Sequence, residues 1–395
     1  MTKPARTANC LAKADRVRKT LHHEEADRIP ISDFYWTTFV NRWKKEKNLP
    51  PDTDIYRYYD LDWICITPNM DPHIKSFTVI KETEDDVILK TGFEATIRKK
   101  LGTQMPYFEH FDTDDLEKMA AFRFDDPDDQ RRFSQSGDDQ LNGVGDVISR
   151  NLPAWIDRVK SYYADFPVFG SICEAHEYAW RIIGSENVLL WIALYPDEFG
   201  AFVKRIGDFL TSYLRAQIKA GEGMLDGMVL WGDVAYRNGM LFSPDMWREH
   251  FKPITRELIS ICHENGLPVI YHGCGNASEI FPDFVEMGLD AYNPLESKSG
   301  LDVVEIRKQY GHTMGFCGNI DAITWANAPL PELEELVLRR LNAAKGGGYL
   351  PQSDHSVPSN VSAERYEFVL NLLRKYGKYP LELGKHDIPS LGTVR

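Results

Sequence analysis

Three features of this 395-residue sequence predict an α/β chain folded as a closed (β/α)8 TIM barrel. Eight short apolar runs recur with helical pattern between most of them, which favours a barrel over an open doubly wound sheet. Almost every run ends in a residue able to bind a metal or move a proton, as the carboxyl-end mouth of a barrel requires. The stretch that breaks the rhythm, 76–150, reads as an insertion into a single domain spanning 1–395.

In order, a polar helical extension is expected over Ala8–His23, then strands at Pro30–Tyr35 and Leu61–Thr67. In the insertion, FTVIKETEDDVILKTGFEATIRKK suggests antiparallel hairpins turning at Glu84–Asp86 and Thr91–Gly92, because strand runs this close leave no room for crossover helices. The acidic stretch Asp112–Asp139 reads as a solvated linker with short helices. From Leu152 the alternation is regular, with strands at Pro167–Cys173, Gly227–Trp231, Pro268–Cys274, Leu289–Asn293, His312–Gly318 and Gly348–Pro351. Ser243-Pro244 supplies an N-cap and a first-turn proline for a long helix ending near Asn265, with Gly266 just past its end. The triplet Gly346–Gly348 closes a helix and leads into a strand, so it needs no phosphate to explain it, and no GxGxxG or Walker pattern follows any strand.

Composition narrows the function classes. At 43% hydrophobic and 27% charged residues the chain is globular, and no apolar run is long enough to span a bilayer. A formal charge of −13 opposes nucleic-acid binding, which needs a basic face. The N-terminus lacks an apolar leader core, and the six cysteines show no disulfide-framework spacing, so a cytoplasmic protein with reduced thiols is expected.

The stretch LPVIYHGCGN (Leu267–Asn276) concentrates the chemistry. Residues two apart in an extended backbone face the same way, so His272 and Cys274 would present a nitrogen and a sulfur donor side by side, suited to Zn²⁺. The other strand ends carry Asp33, Thr67, Glu174 with His176, Asp233, Asn293 with Glu296, Cys317 with Asn319 and Asp321, and Asp354 with His355. For Asn293 and Asp321 a loop hydrogen bond or helix cap is the simpler role. A catalytic zinc takes three protein ligands and one open position, which leaves His355 and Cys317 as candidates for the third. Asp233 or Glu174 would fill a fourth position or act as the base near the metal.

The segments WGDVAY (Trp231–Tyr236), SPDMWREHFKP (Ser243–Pro253), YHGCGN (Tyr271–Asn276) and GGGYLPQSDHSVPSNVSAERY (Gly346–Tyr366) resemble the uroporphyrinogen decarboxylase superfamily. Within it the resemblance is to zinc-dependent, corrinoid-linked methyltransferases. It runs from DRIPI (Asp27–Ile31) onward and is strongest over Gly227–Tyr376. It implies a (β/α)8 barrel, catalytic zinc, and methyl transfer between a small substrate and the cobalt of a cobalamin carried by a partner corrinoid protein. It also implies His272 and Cys274 as ligands, with His355 where the family usually has a second cysteine. One thiolate in place of two would leave the zinc a stronger Lewis acid, favouring O-demethylation of a methoxylated compound over methylation of a thiol. Asp233 and Glu174 are the expected catalytic groups, and Trp231, Tyr236, Asn276, Glu296 and Tyr35 the expected substrate contacts. Two alternatives are a uroporphyrinogen-type decarboxylase and a metal- or corrinoid-binding barrel without turnover. The first is disfavoured by ISDFYWTTFVNRW (Ile31–Trp43), which offers Asp33 and aromatics where a polycarboxylate would need cations.

Overall fold

The computed structural model describes residues 3–100, 102–135, 137–141 and 148–393; residues 101, 136 and 142–147 of the expected insertion lie outside these. Seven parallel strands follow one another in sequence order: β1 (Ile64–Cys65), β2 (Val168–Cys173), β3 (Gly227–Trp231), β4 (Val269–His272), β5 (Ala291–Asn293), β6 (Gly315–Ile320) and β7 (Tyr349–Ser353). Helices intervene between consecutive strands from β2 onward, and every residue of β2 is buried, as a parallel sheet covered on both faces requires.

The architecture is barrel-like, but the predicted eighth strand is corrected. Among the described residues no ladder joins β1 to β7, and Pro30–Tyr35 forms no strand beyond an isolated bridge at Tyr35. Pro30 has no N–H to give a ladder. The segment crosses the gap on discrete bonds instead. Toward β1, Asp62 N–H donates to Ile31 O (2.8 Å) and the Ser32 hydroxyl to Trp63 O (2.7 Å). Toward β7, the Gln352 amide donates to Ser32 O (3.0 Å) and Ser353 N–H to the Asp33 carboxylate (2.9 Å).

One inward residue from each of six strands, Phe169, Val229, Ile270, Ala291, Cys317 and Leu350, packs with Trp63 in the interior. The N-terminal helix Ala8–Leu21, capped by Thr7, adds Val17 and Leu21 to this cluster, while Phe34 and Trp231 pack on it as partly buried neighbours. Gly227 is required here, because a Cβ would stand 2.2 Å from the Phe169 ring. Cys317 is therefore core. β6 runs on to Ile320, past the expected end at Gly318, and carries this thiol into mid-strand.

The hairpins of the insertion form as expected, in a four-stranded antiparallel sheet (Phe77–Glu82, Asp86–Thr91, Ala95–Lys100, Tyr107–Phe111) with a small core of Phe77, Val87, Leu89 and Ile97. The acidic stretch contains the short helices Leu116–Ala121 and Arg131–Ser134, and buried Arg132 ties it down by donating to Asp71 O and Pro72 O. The long helix expected after Ser243 is two helices, Pro244–His250 and Lys252–Glu264. Pro253 cannot donate to the preceding turn, and the chain breaks at Phe251.

Candidate metal centre

β4 sets the site by alternation and register. Ile270 faces the interior, so His272, two residues on, stands above it on the same side. The register pairs His272 with Trp231 of β3 and Asn293 of β5. The indole of Trp231 accordingly lies 4.6 Å from the imidazole, ring centre to ring centre, and Asn293 Oδ1 bonds His272 Nδ1. Beyond the strand the backbone turns sharply. Gly275 has φ +81°, and a Cβ there would meet Tyr236 O at 2.7 Å. This turn folds Cys274 back over the ring, with Sγ 3.6 Å from His272 Nε2.

Two carboxylates fasten the turn. Asp233 Oδ1 accepts the Cys274 N–H (2.8 Å), and Glu296 Oε2 accepts the Gly275 N–H (2.7 Å). Asp233 is thereby drawn in, and one donor atom each from Asp233, His272 and Cys274 lies within 4.8 Å of the others. Oxygen, nitrogen and sulfur at this spacing suit a divalent cation such as zinc, and the Asn293 contact supplies the outer partner that metal-bound histidines usually have. Burial pushes the Cys274 thiol well above its ordinary value, with Asp233, Glu296 and Glu177 adding to the effect, and brings the His272 imidazole down to about 4. Burial also raises Asp233. Each group is thus driven toward its neutral form, and a bound dication would reverse that preference for the two acids.

The group opens into a cavity of about 990 Å³ at the carboxyl ends of the strands. Phe34, Tyr35, Trp36, Tyr56, Trp180 and Trp231 give it an aromatic wall, and Met105, from the segment beside the four-stranded antiparallel sheet, reaches its lining. Of the expected substrate contacts, Trp231 and Tyr35 line this space. The other three do not. Tyr236 is 51% exposed on a short hairpin, its carbonyl accepting the Asn276 N–H; Asn276 bonds Ser299 O and Ser278; Glu296 pairs with Lys298. These residues hold the loop that carries Cys274.

His355 lines the same cavity but stays outside the three-atom group. Its ring lies nearly parallel to that of Trp36, whose indole N–H points to His355 Nδ1 (3.4 Å). Glu174 does not reach the cavity lining. It caps helix Ala175–Ile183 by accepting the His176 N–H, and the Thr255 hydroxyl also points to it. The carboxylate of this helix that does line the cavity is Glu177, almost one turn later, and sequence reasoning missed it. Glu177 accepts the Asp233 N–H (3.1 Å) and forms a buried ion pair with Arg181 (2.9 Å). The visible signal was an acid and an arginine four apart on an otherwise apolar helix.

Burial lifts the Glu174 carboxyl to about 8, from an ordinary 4.5. An acid with a raised folded value keeps its proton where the unfolded chain has lost it, so it favours the fold at low pH and that contribution fades as pH climbs toward the folded value. Glu174→Gln should remove this dependence. Thermal unfolding midpoints of the variant are expected to gain on wild type steadily between about pH 5 and 8. Parallel curves would count against the buried proton.

The parallel α/β barrel-like frame thus places a donor group beside a cavity at the carboxyl ends of its strands, where such folds carry their sites. The uroporphyrinogen decarboxylase (URO-D) profile matches residues 115–376, and the chain belongs to that family. It is similar to the methylated-thiol–coenzyme M methyltransferase of Methanosarcina mazei, 27% identical over 173 residues, 44% of each chain. It is also similar to the uroporphyrinogen decarboxylase of Trichlorobacter lovleyi, 25% identical over 190 residues, 46% of this chain and 50% of that one. The chain thus spans half or less of the length of these relatives. A solved structure described as a methyltransferase from Methanosarcina mazei shares the fold, with a TM-score of 0.63 at 14% identity over 92% of this chain and 98% of that one. Among the described residues no helix is long and apolar enough to cross a membrane.

Proposed function

We propose that the protein is a zinc-dependent methyltransferase that moves a methyl group between a small, methoxylated compound and the cobalt of a corrinoid held by a partner protein in the cytoplasm. The observation that carries this is the Asp233–His272–Cys274 group opening on an aromatic-walled cavity. A zinc ion held there would supply Lewis-acid activation of the heteroatom that bears the methyl. Asp233 would add a hard oxygen donor in place of a second sulfur; as an anion it would leave the zinc formally neutral, so the preference for an oxygen-bearing guest would rest on donor hardness. Trp231, Phe34 and Tyr35 would seat its ring. His355, whose Nδ1 faces the Trp36 indole, lines the same cavity and would orient the guest or handle a proton. Glu174 would act indirectly, by fixing the helix that carries Glu177. The whole chain acts as one barrel unit with 76–150 as its insertion.

Methyltransferases and decarboxylases both occur among the similar proteins, and the charge of the cavity favours the first. Arg181 and Lys298, the two cationic side chains of the described lining, are already paired with Glu177 and Glu296, which leaves the carboxylates of Asp321 and Asp354 without a lysine or arginine in that lining to offset them. A substrate with many carboxylates would find repulsion there.

Zinc analysis of the purified protein, followed by incubation with free cob(I)alamin and methoxylated aromatic donors, tests the proposal. Zinc near one per chain and a methylcobalamin spectrum are expected. Release of CO₂ from uroporphyrinogen without methylcobalamin would overturn it in favour of the decarboxylase.

A further inference from the structure

Behind His272 runs a buried chain of amides with a fixed direction. Its far end is the main-chain carbonyl of Ser32, which can only accept. Gln352 must therefore turn its NH₂ toward Ser32 O (3.0 Å), which leaves Gln352 Oε1 facing the next amide. Asn293 consequently gives its own NH₂ to Gln352 Oε1 (2.8 Å) and turns its oxygen toward the imidazole. Flipping either amide would set two buried oxygens against each other, since Asn293 is 1% and Gln352 2% exposed. Facing an oxygen, His272 Nδ1 has to carry the hydrogen. The lone pair is then left on Nε2, the nitrogen beside Cys274 Sγ.

We propose that Gln352 and Asn293 are positioning residues that lock His272 in the Nδ1–H tautomer and so aim a metal-binding lone pair at the centre before any metal arrives. The proposal deepens the function above and rests on that reading of the centre, though the tautomer itself is a property of the metal-free protein. The hydrogen-bond neighbours of the His272 imidazole among the described residues are Asn293 and Cys274. Ring orientation is fixed separately, by the Trp231 and Phe34 rings at 4.6 and 6.0 Å. Orientation and tautomer should accordingly separate on mutation.

Nitrogen-15 NMR of the imidazoles in metal-free protein tests the tautomer directly, with the His272 signals assigned by their loss in His272→Ala. Wild type is expected to show a protonated Nδ1 and an unprotonated Nε2 at neutral pH. Asn293→Leu, close in size but without an acceptor, should shift the population toward Nε2–H and weaken zinc binding, read by chelator competition, by about 10–100-fold. Asn293→Asp alone would set its second oxygen against Gln352 Oε1, so it is paired with Gln352→Met; the double variant keeps an oxygen facing Nδ1 and should recover the Nδ1–H signature and most of the affinity. Gln352→Met frees Asn293 to flip and should act in the same direction as Asn293→Leu. An Nε2–H signature in wild type overturns the relay whatever happens to the variants, including one that fails to fold. So does unchanged zinc affinity in a folded Asn293→Leu. A wild type with the expected tautomer but no affinity for zinc would leave the relay standing and sink the metal reading instead.

Discussion

Cys274→Ala is expected to purify with little or no zinc and to show no methyl transfer. It removes one of three donor atoms, so the loss should exceed the roughly 10–100-fold that disturbing an outer partner costs. The contrast that gives the result meaning is Cys317→Ala. Both changes delete a thiol at the end of a predicted strand, but Cys317 is packed among Ile270, Ala291 and Leu350 in the interior. That variant should keep its zinc and lose stability instead, as a shallow cavity replaces the sulfur. His355→Ala, whose ring lies outside the donor group, should also keep zinc while losing turnover. Metal analysis after exhaustive removal of loosely held ions checks all three. Equal zinc in Cys274→Ala and wild type would dismiss the centre.

The second large effect is expected at Glu177. Its side chain and that of Arg181 are 5% and 6% exposed, and they bond each other at 2.9 Å. Removing one partner of such a pair leaves a bare charge in a low-dielectric setting, which typically costs about 3–5 kcal/mol. Glu177→Ala should show a loss of that size in denaturant titrations. It should weaken the centre as well, because the Asp233 N–H loses its acceptor. The double variant Glu177→Leu/Arg181→Met leaves no bare charge and should regain much of the stability without regaining activity. A single variant as stable as wild type would mean that the guanidinium finds another partner.

These residues also mark how far the sequence could be read. Strict alternation made His272 and Cys274 legible as a pair, and the hairpins of the insertion were visible for the same reason. Strand ends were harder. β6 runs two residues beyond its expected end, and that displacement turned Cys317 from candidate ligand into core. Glu174 and Glu177 lie three apart on either side of a helix start, and only the placement of the helix on the sheet decides which of them faces the cavity. Asp233 was legible as a strand-end acid, but its approach to the donor pair depends on a bond to the Cys274 main chain, which no side-chain pattern announces. The segment after Pro30 looked like a strand through Ile31, Phe34 and Tyr35, and it is not one because several of its bonds to both neighbours run through side chains: Ile31 N–H goes to the Asp62 carboxylate, the Ser32 hydroxyl to Trp63 O and the Gln352 amide to Ser32 O.

That segment carries Phe34, Tyr35 and Trp36. Staves of a regular sheet are tied to both neighbours along their length, so a lost or added residue shifts everything that follows. A few point attachments impose no such discipline. Much of the aromatic wall of the chamber is mounted on a loosely stitched seam, while the donors sit on, or within two residues beyond, the ends of staves paired on both sides. Diversification of appetite within such a lineage would then concentrate at the seam and leave the chemistry untouched.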